Sequence, residues 1–246
     1  MSRPGRLERE IEFHRGIAHR AEMIWNWDSP SGRRRAARRS EIFAREGGLG
    51  PGQRALEVGC GTGIFLAAAA TTGAHIVALD LSADLLVQAQ ARLDKAGGVR
   101  LSLGNAEQMP FRKESFDVAY GSSILHHLNI DAALTEILRV LRPGGRIVFA
   151  EPNILNPQVA VMFHLGLTKK YFGVSPDEMA FSRFRAARAL RTAGFAAIAI
   201  KPFDFLHPAT PPAAMDAVAR IGRVLEAIPL LREIAGSMLI TAAKPR

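Results

Sequence analysis

The sequence predicts an α/β fold in which helices cover both faces of a doubly wound parallel sheet. Short runs of β-branched residues alternate with helical patterns from about residue 53 onward, as in chains that build a parallel sheet. A glycine-rich turn follows the first of these runs. The chain has 246 residues, of which 48% are hydrophobic, so it is large enough to bury one full core.

Five runs in the first part of the chain are predicted as strands, at Arg54–Val58, His75–Leu79, Val99–Leu103, Phe116–Tyr120 and Arg146–Ala150. The helices predicted between them cover residues 62–72, 83–96 and 131–141. A turn at 142–145 ends the last helix, because proline cannot continue a helix and glycine adopts turn dihedral angles. A sixth strand is predicted at Phe195–Phe203 and a seventh at Ser237–Ala243.

Residues 1–46 are predicted to form a helical cover that precedes the sheet. Two helical patterns, at 7–25 and 33–45, make up this cover. Trp25 and Trp27 flank the break between the two helices. Large aromatic side chains at such a joint would close the cover over a ligand, although ordinary packing in the core is the alternative role for at least one of them.

Two inserts, at 154–180 and 207–235, interrupt the alternation within a domain that spans 47–246. Both lie beside the carboxyl ends of the fifth and sixth strands, and ligands bind at that edge of open α/β sheets. Both are rich in apolar side chains, so we expect helical lids over a hydrophobic pocket. Ser175–Glu178 predicts the start of a helix that ends at Gly194.

The composition limits the compartment and the partners of the protein. Cys60 is the single cysteine, which excludes an intramolecular disulfide and a paired-cysteine zinc site. The charged N-terminus lacks the apolar run of a signal peptide, and no stretch reaches the ~18 apolar residues that cross a bilayer. We therefore expect a cytoplasmic protein.

The formal net charge of +9 is concentrated in one run of arginines. The run comprises Arg33, Arg34, Arg35, Arg38, Arg39 and Arg45. A solvated helix face is the preferred interpretation, since charge runs usually face water. Peripheral attachment to an anionic membrane and contact with RNA are the alternatives.

The segment from Glu57 to Gly63 has glycines at every second position between a strand and a helix. Glycine lets the backbone approach a ligand closely, and a helix N-terminus offers free amides to it. A nicotinamide dinucleotide site requires the pattern G-x-G-x-x-G. Ile64 stands where the third glycine should be, so the spacing excludes that cofactor.

This pattern, E-x-G-x-G-x-G, resembles the cofactor loop of class I S-adenosylmethionine methyltransferases. Three further segments resemble the same family in the same order, at 104–111, 116–128 and 136–145. The resemblance is to the subgroup that acts largely on small molecules. It implies a Rossmann-like sheet of seven strands whose last strand is antiparallel.

The resemblance implies S-adenosyl-L-methionine as the cofactor. The residues that it assigns to cofactor binding are Glu57, Gly59, Cys60, Gly61, Gly63, Asp80, Leu81, Asn105, Ala106 and Ser122. Asp80 ends the second strand and would hold the ribose, because the two oxygens of a carboxylate suit a vicinal diol. Asn105 stands where the family usually has aspartate, and it would accept a hydrogen bond from the adenine amino group through its amide oxygen.

His126, His127 and Glu151 are the predicted catalytic residues, since they follow neighbouring strands at one edge of the sheet. Small-molecule O-methyltransferases that resemble this chain place a histidine and an acidic residue at these positions. A carboxylate would fix the tautomer of an imidazole base. Adjacent helical residues point about 100° apart, so one histidine should face the acceptor, and His126 is preferred. Alternatively, one histidine belongs to the core and Glu151 caps a nearby helix.

The predicted acceptor is a small or lipid-like molecule that is methylated on oxygen. Base-modifying enzymes of this fold carry Asn or Asp-Pro-Pro-aromatic after the fourth strand, whereas this chain has Ser122-Ser123-Ile124. We therefore expect no nucleic-acid acceptor. No cluster of carboxylates or histidines has ligand spacing near the site, so no metal is expected. RNA or protein methylation, and a cofactor-binding subunit without catalysis, remain alternatives. The sequence does not predict the oligomeric state.

Overall fold

The structure is a computed structural model that describes residues 5–93, 97–164 and 180–246. Seven strands form one sheet in the order β3-β2-β1-β4-β5-β7-β6. The strands are β1 Arg54–Val58, β2 His75–Asp80, β3 Val99–Leu103, β4 Phe116–Ser122, β5 Leu141–Pro152, β6 Ala196–Phe203 and β7 Ser237–Ala243. Only β7 is antiparallel to its neighbours, β5 and β6. The predicted doubly wound sheet with an antiparallel last strand is therefore confirmed.

Most strand boundaries agree with the sequence prediction within two residues. β5 is the exception, because it begins at Leu141 rather than at Arg146. Leu141 pairs with Phe116 of β4, and the register then shifts before Val118 pairs with Arg146. The turn at 142–145 lies within this register shift. The turn residues alone therefore do not predict that β5 begins to pair with β4 at Leu141.

The described helices are α1 Arg6–Ile17, α2 Ala21–Ile24, α3 Pro30–Gly47, α4 Ile64–Ala70, α5 Ala83–Leu93, α6 Ile130–Val140, α7 Pro157–His164, α8 Arg183–Ala193, α9 Met215–Ala227 and α10 Pro229–Arg232. Short 3-10 turns occur at Ala18–Arg20, Leu125–His127 and Pro212–Ala214. None of the helices that the structure describes is long and apolar enough to cross a membrane.

Capping residues explain where several helices differ from the prediction. α3 begins at Pro30 because the Ser29 side chain accepts a hydrogen bond from the Gly32 amide. α4 begins only after Gly63, whose φ of +81° is outside the helical range. The helix predicted over 7–25 is divided into α1 and α2 by the 3-10 turn.

The helix predicted from residue 175 begins at Arg183 in the structure. Ser182 is its N-cap and accepts a hydrogen bond from the Arg185 amide. Phe181 is not helical, because it forms a β-bridge with Asn153 and is buried. The predicted start at Ser175–Glu178 and the last turn predicted for α5, at 94–96, lie outside the described residues.

Both faces of the sheet are covered by helices, as alternation along β4 illustrates. Val118 and Tyr120 face a core that α3, α4 and α5 complete, whereas Ala119 faces the core under α6 and α8. Phe43 of α3 is 1% exposed and contacts Tyr120 with ring centroids 5.6 Å apart. α3 therefore belongs to the core of the domain, and α1 and α2 lie outside it.

We expect Phe43→Ala to lower the free energy of unfolding by about 3–5 kcal/mol, because truncation of a buried aromatic ring leaves a cavity. Phe184→Ala is the matched control, since Phe184 is 63% exposed. Denaturation in urea measures both variants. If both variants lowered the free energy of unfolding by the same small amount, α3 would not be part of the core.

Candidate active site

A cavity of about 1140 Å³ opens at the carboxyl ends of the parallel strands. The loops that follow β1, β2, β3 and β4 line one side, and α1 and α2 line the opposite side. Pockets for a single drug-sized ligand usually enclose ~300–1000 Å³. This cavity therefore has room for a cofactor and a second small molecule together.

The loop after β1 requires its glycines for steric reasons. Gly59 and Gly61 line the cavity with φ of +69° and +54°, in the left-handed region that favours glycine. A Cβ at Gly59 would lie 2.5 Å from side-chain atoms of Ile124. At Gly63, which caps α4 and does not line the cavity, a Cβ would lie 3.0 Å from Ala89. Because Gly59 and Gly61 have no side chains, the backbone of the loop faces the cavity directly.

Asp80 ends β2 and presents a buried carboxylate to the cavity. One oxygen accepts a hydrogen bond from the Gly61 amide at 2.7 Å, and the other accepts from the Ser82 amide at 2.9 Å. Burial raises the pKa of Asp80 above its ordinary value. Each carboxylate oxygen can accept more than one hydrogen bond, so both oxygens can also bind a diol.

Glu57 lies behind the glycine loop and does not line the cavity. Its carboxyl is 1% exposed and accepts a hydrogen bond from the Tyr120 hydroxyl at 2.8 Å. Burial raises the pKa of Glu57 to about 8. The side chain therefore supports the loop from inside the core.

The other predicted cofactor residues line the cavity: Cys60, Leu81, Asn105, Ala106 and Ser122. The Asn105 amide oxygen accepts a hydrogen bond from the Glu107 amide at 2.9 Å, which holds the loop after β3. Burial raises the pKa of the Cys60 thiol, which keeps it protonated and unsuited to act as a nucleophile. Of the ten predicted residues, only Glu57 and Gly63 do not reach the cavity.

Glu151 and His126 form a buried pair at the ends of β5 and β4. His126 Nδ1 lies 2.8 Å from one oxygen of Glu151, and the other oxygen accepts hydrogen bonds from the Ile124 and Leu125 amides at 3.0 and 2.9 Å. Glu151 thus caps the 3-10 turn and also orients His126. A carboxylate that accepts from Nδ1 leaves the proton-accepting lone pair on Nε2. His126 lines the cavity, whereas Glu151 does not.

His127 lies in a different cluster from His126. Its Nδ1 is 3.4 Å from a carboxylate oxygen of Glu10, and its ring centroid is 5.5 Å from that of His14. Glu10, His14 and His127 each offer a ligand atom within 4.8 Å of the other two. The expectation of no such cluster near the site is therefore wrong. Glu10 and His14 belong to α1 and precede His127 by more than a hundred positions. Spacing in the sequence therefore cannot show that the three residues meet.

The inserts contribute unequally to the cavity. Val159, Met162 and Phe163 of the first insert line it, as expected for an apolar lid. Within the second insert, only His207 and Pro208 do so among the described residues. α9 and α10 instead expose apolar side chains to solvent. The apolar residues of the first insert at 165, 167, 172 and 179 lie outside the described residues.

The tryptophans of the predicted cover both line the cavity. Trp25 lies over the glycine loop, 3.4 Å from the position of a Cβ at Gly61. Trp27 packs edge-on against Phe65, with centroids 5.5 Å apart. Trp25 therefore faces the ligand space, while Trp27 also belongs to the packed core.

Several arginines of the run form ion pairs with acidic residues of the same chain. Arg34 pairs with Asp216, Arg35 with Asp204, and Arg38 with Glu226, so α3 is attached to the segment at 204–226. The interpretation of the run as a solvated helix face is wrong for Arg39, which is 2% exposed and lines the cavity. The signal that could have found it is the helical period, since Arg39 shares a face with Ala36 and Phe43.

Comparison with known proteins agrees with this geometry. Residues 56–149 match the family model Methyltransf_11, described as a methyltransferase domain. The O-methyltransferase rstn1 of Aspergillus nomiae is 40% identical over 122 residues, which cover 46% of this chain and 54% of that protein. The chain spans between 31% and 57% of the length of the first curated relatives that it matches.

Solved structures share the fold over nearly the whole chain. A phosphoethanolamine N-methyltransferase of Haemonchus contortus, in complex with phosphomonomethylethanolamine and S-adenosylhomocysteine, has a TM-score of 0.69 at 18% identity and covers 99% of this chain and 61% of its own. The [4+2]-cyclase SpnF has a TM-score of 0.70 at 20% identity and covers 100% and 98%. The presence of a cyclase means that the fold alone does not identify the reaction.

We expect Glu57 to make the free energy of unfolding decrease as the pH rises. Its folded-state pKa of about 8 exceeds the ordinary 4.5, so unfolding releases a proton between these values and stability falls as the pH rises from about 4.5 to 8. Glu57→Gln should remove this fall. Urea denaturation at about pH 5 and about pH 8 measures it, with the exposed Glu41→Gln as control. An equal pH dependence in wild type and Glu57→Gln would contradict the expectation.

Proposed function

We propose that this chain, whose residues 56–149 form a domain of the class I S-adenosylmethionine-dependent methyltransferase family, is an enzyme that methylates a small or lipid-like acceptor on oxygen. One observation carries the proposal. The buried pair of His126 and Glu151 lies at the same sheet edge as the glycine loop and the Asp80 carboxylate, and His126 lines the same cavity as they do. The proposed base and the proposed nucleoside site therefore face the same cavity.

The cavity residues fit the cofactor of this family. Gly59 and Gly61 adopt the left-handed backbone conformation where the loop lines the cavity, and Asp80 offers two carboxylate oxygens for the ribose hydroxyls. Asn105 and Ala106 would flank the adenine. When bound, S-adenosyl-L-methionine supplies an electrophilic methyl carbon on a sulfonium sulfur. The protein has then to align the acceptor and to exclude water.

His126 would take the proton of an acceptor hydroxyl on Nε2. Glu151 would stabilise the resulting imidazolium through its hydrogen bond at Nδ1, and it cannot rotate away because its second oxygen is held by two amides. His127, which lies next to Glu10, is the reserve candidate. The similarity to a named O-methyltransferase supports oxygen as the methylated atom.

The acceptor class follows from the walls of the cavity. Val159, Met162 and Phe163 from α7 and Leu206 after β6 give the site an apolar wall. A small aromatic or lipid-like molecule would bury its apolar surface there. The sequence Ser122-Ser123-Ile124 at the end of β4 does not favour an extruded nucleic-acid base.

We expect Asp80→Ala to weaken the binding of S-adenosylhomocysteine by more than about tenfold, because hydrogen bonds to a charged group contribute about 1.5–3 kcal/mol each. Isothermal titration calorimetry measures the affinity, and circular dichroism checks the fold. The control is Asp84→Ala, which removes an exposed carboxylate from the neighbouring first turn of α5. Unchanged affinity in Asp80→Ala would contradict the assignment of this cavity to the cofactor.

We expect His126→Ala to slow methyl transfer by roughly 10²–10⁴-fold and to remove the acidic limb of the pH profile, while cofactor affinity is kept. The acceptor is first identified by mass spectrometry of a metabolite extract incubated with methyl-labelled cofactor. His127→Ala is measured in parallel, because His127 is the reserve candidate, and we expect it to slow transfer less than His126→Ala does. If neither variant slowed transfer by about tenfold, the reaction would need no histidine base. Cofactor binding without any turnover would favour a non-catalytic subunit.

A further inference from the structure

We propose that α9 and α10 form a surface that attaches the protein to a membrane containing anionic lipids. The surface consists of exposed apolar side chains that lie beside arginines. Its apolar members, the apolar stripe, are Ile221, Val224, Ile228, Leu230, Leu231 and Ile234. The proposal goes beyond the reaction proposed for the cavity and does not depend on it, because it concerns the outer surface of the molecule.

The apolar stripe is a group of neighbouring side chains in contact with solvent. Leu230 is 84% exposed, Val224 62% and Ile221 59%, and the other three members are between 41% and 47% exposed. Ile221, Val224 and Ile228 follow one another at intervals of three and four residues, so they share one side of α9. Single exposed apolar side chains are common on proteins, whereas a contiguous group of them marks an interaction site.

The opposite side of α9 holds the helix to the domain. Gly222 is buried, and a Cβ there would lie 3.2 Å from Cβ of Phe205. Glu226 accepts hydrogen bonds from both terminal nitrogens of Arg38, at 2.8 and 2.6 Å, and from the Asp204 amide at 2.8 Å. The apolar stripe therefore cannot turn inward unless these contacts break, and it faces outward as a fixed part of the fold.

The charged groups around the stripe have a positive balance. The ion pairs join Asp216 to Arg34, Glu226 to Arg38, and Glu233 to both Arg183 and Arg232. Glu41 of α3 also acts on Arg38, and α9 carries Arg220 and Arg223 in addition. Asp204, which acts on Arg38 as well, is buried and paired with Arg35, so the two cancel. Four further carboxylates thus face six further guanidiniums, which leaves two positive charges.

Arg220 and Arg223 border the apolar stripe on its solvent side. Both are exposed. Since 3.6 residues make one helical turn, Arg220 lies between Val224 and Arg223 around the axis of α9, and Gly222 lies beyond the other border of the stripe. An arginine in this position can lay its aliphatic part along the apolar side chains and place its guanidinium among lipid phosphates.

An anionic membrane fits this surface better than a second copy of the chain does. A symmetric dimer through the stripe would bring Arg220 and Arg223 of both copies to one interface, where like charges repel. Anionic lipids instead compensate these charges. Helices that lie in the plane of a membrane interface combine an apolar side with basic residues in this way, and they do not cross the bilayer.

The surface adjoins the cavity in the chain on both sides. His207 and Pro208, which precede α9, line the cavity, and so do Gly236 and Ser237, which follow α10. A protein attached through α9 and α10 would therefore hold this wall of the cavity close to the lipid.

The test is sedimentation of the whole protein with sucrose-loaded vesicles. One set of vesicles contains equal parts of phosphatidylcholine and phosphatidylglycerol, and the other contains phosphatidylcholine alone. Wild type should bind the anionic set at least about tenfold more tightly, since each arginine near an anionic surface contributes about fivefold. This binding should weaken as the salt rises from about 0.1 to about 1 M, because the Debye length then falls from about 10 to about 3 Å.

The double variant Ile221→Ser and Leu230→Ser should weaken binding to the anionic vesicles by about tenfold or more, because it removes apolar surface that lipid would cover. The matched control is Val87→Ser with Leu103→Ser. These side chains are 70% and 58% exposed, on α5 and on β3, at the edge of the sheet away from β6. The control should bind as wild type does.

The double variant Arg220→Gln and Arg223→Gln should weaken the same binding by about tenfold or more and reduce its dependence on salt. Its control is Arg100→Gln with Arg112→Gln, which removes the same charge from exposed positions on β3 and in the loop after it. Circular dichroism checks the fold of every variant.

Three outcomes would overturn the proposal: no binding of wild type to anionic vesicles, equal binding to both sets of vesicles, or binding that both α9 variants retain. Light scattering tests the alternative occupant. If wild type were a dimer that Ile221→Ser with Leu230→Ser dissociates, the stripe would be an interface between copies, and the membrane would be the wrong partner. A monomer whose binding to anionic vesicles is lost in both variants sustains the proposal, whichever acceptor the cavity takes.

Discussion

The carboxylate of Glu151 is fully buried, and its described partners all belong to the segment that follows β4. Loss of the side chain would leave two amides and an imidazole without their acceptor, at a cost of about 1–3 kcal/mol for each buried donor. The turn that it holds also sets Ile124 against Gly59, where no side chain could fit. The three hydrogen bonds of one carboxylate therefore fix the position of the histidine and the contact with the glycine loop together.

Several elements of the fold contribute charged groups of both signs to the cavity. The loops after β1 and β2 contribute acidic groups, Asp80 at the surface of the cavity and Glu57 behind it, each with a pKa raised by burial. The far side carries the guanidinium of Arg39. Asp204, which pairs with Arg35, lines the cavity beside Arg39, so a ligand meets charges of both signs there.

The sequence was informative wherever a feature depends on neighbours in the chain. The strands, the glycine loop and Asp80 follow from local patterns, and the sheet order places their ends together. The solvated-face interpretation fails for Arg39 because a run of charges says nothing about which side of a helix each residue occupies, whereas the helical period puts Arg39 on the same face as Phe43. The cluster of Glu10, His14 and His127 depends on how α1 docks, and no local pattern encodes that. The exposed apolar faces of α9 and α10 show that amphipathicity does not specify what a helix covers.

The ion pairs of α3 have a consequence for the order of folding. Arg35 and Asp204 are 169 residues apart, and Arg39 and Ser237 are 198 apart. Contacts at such separations close large loops and form late. During synthesis, which proceeds from the N-terminus, β7 emerges after the strands on either side of it, and it must insert between β5 and β6. The hydrogen bond from Arg39 to Ser237, which completes this part of the cavity wall, can therefore form only after β7 has left the ribosome.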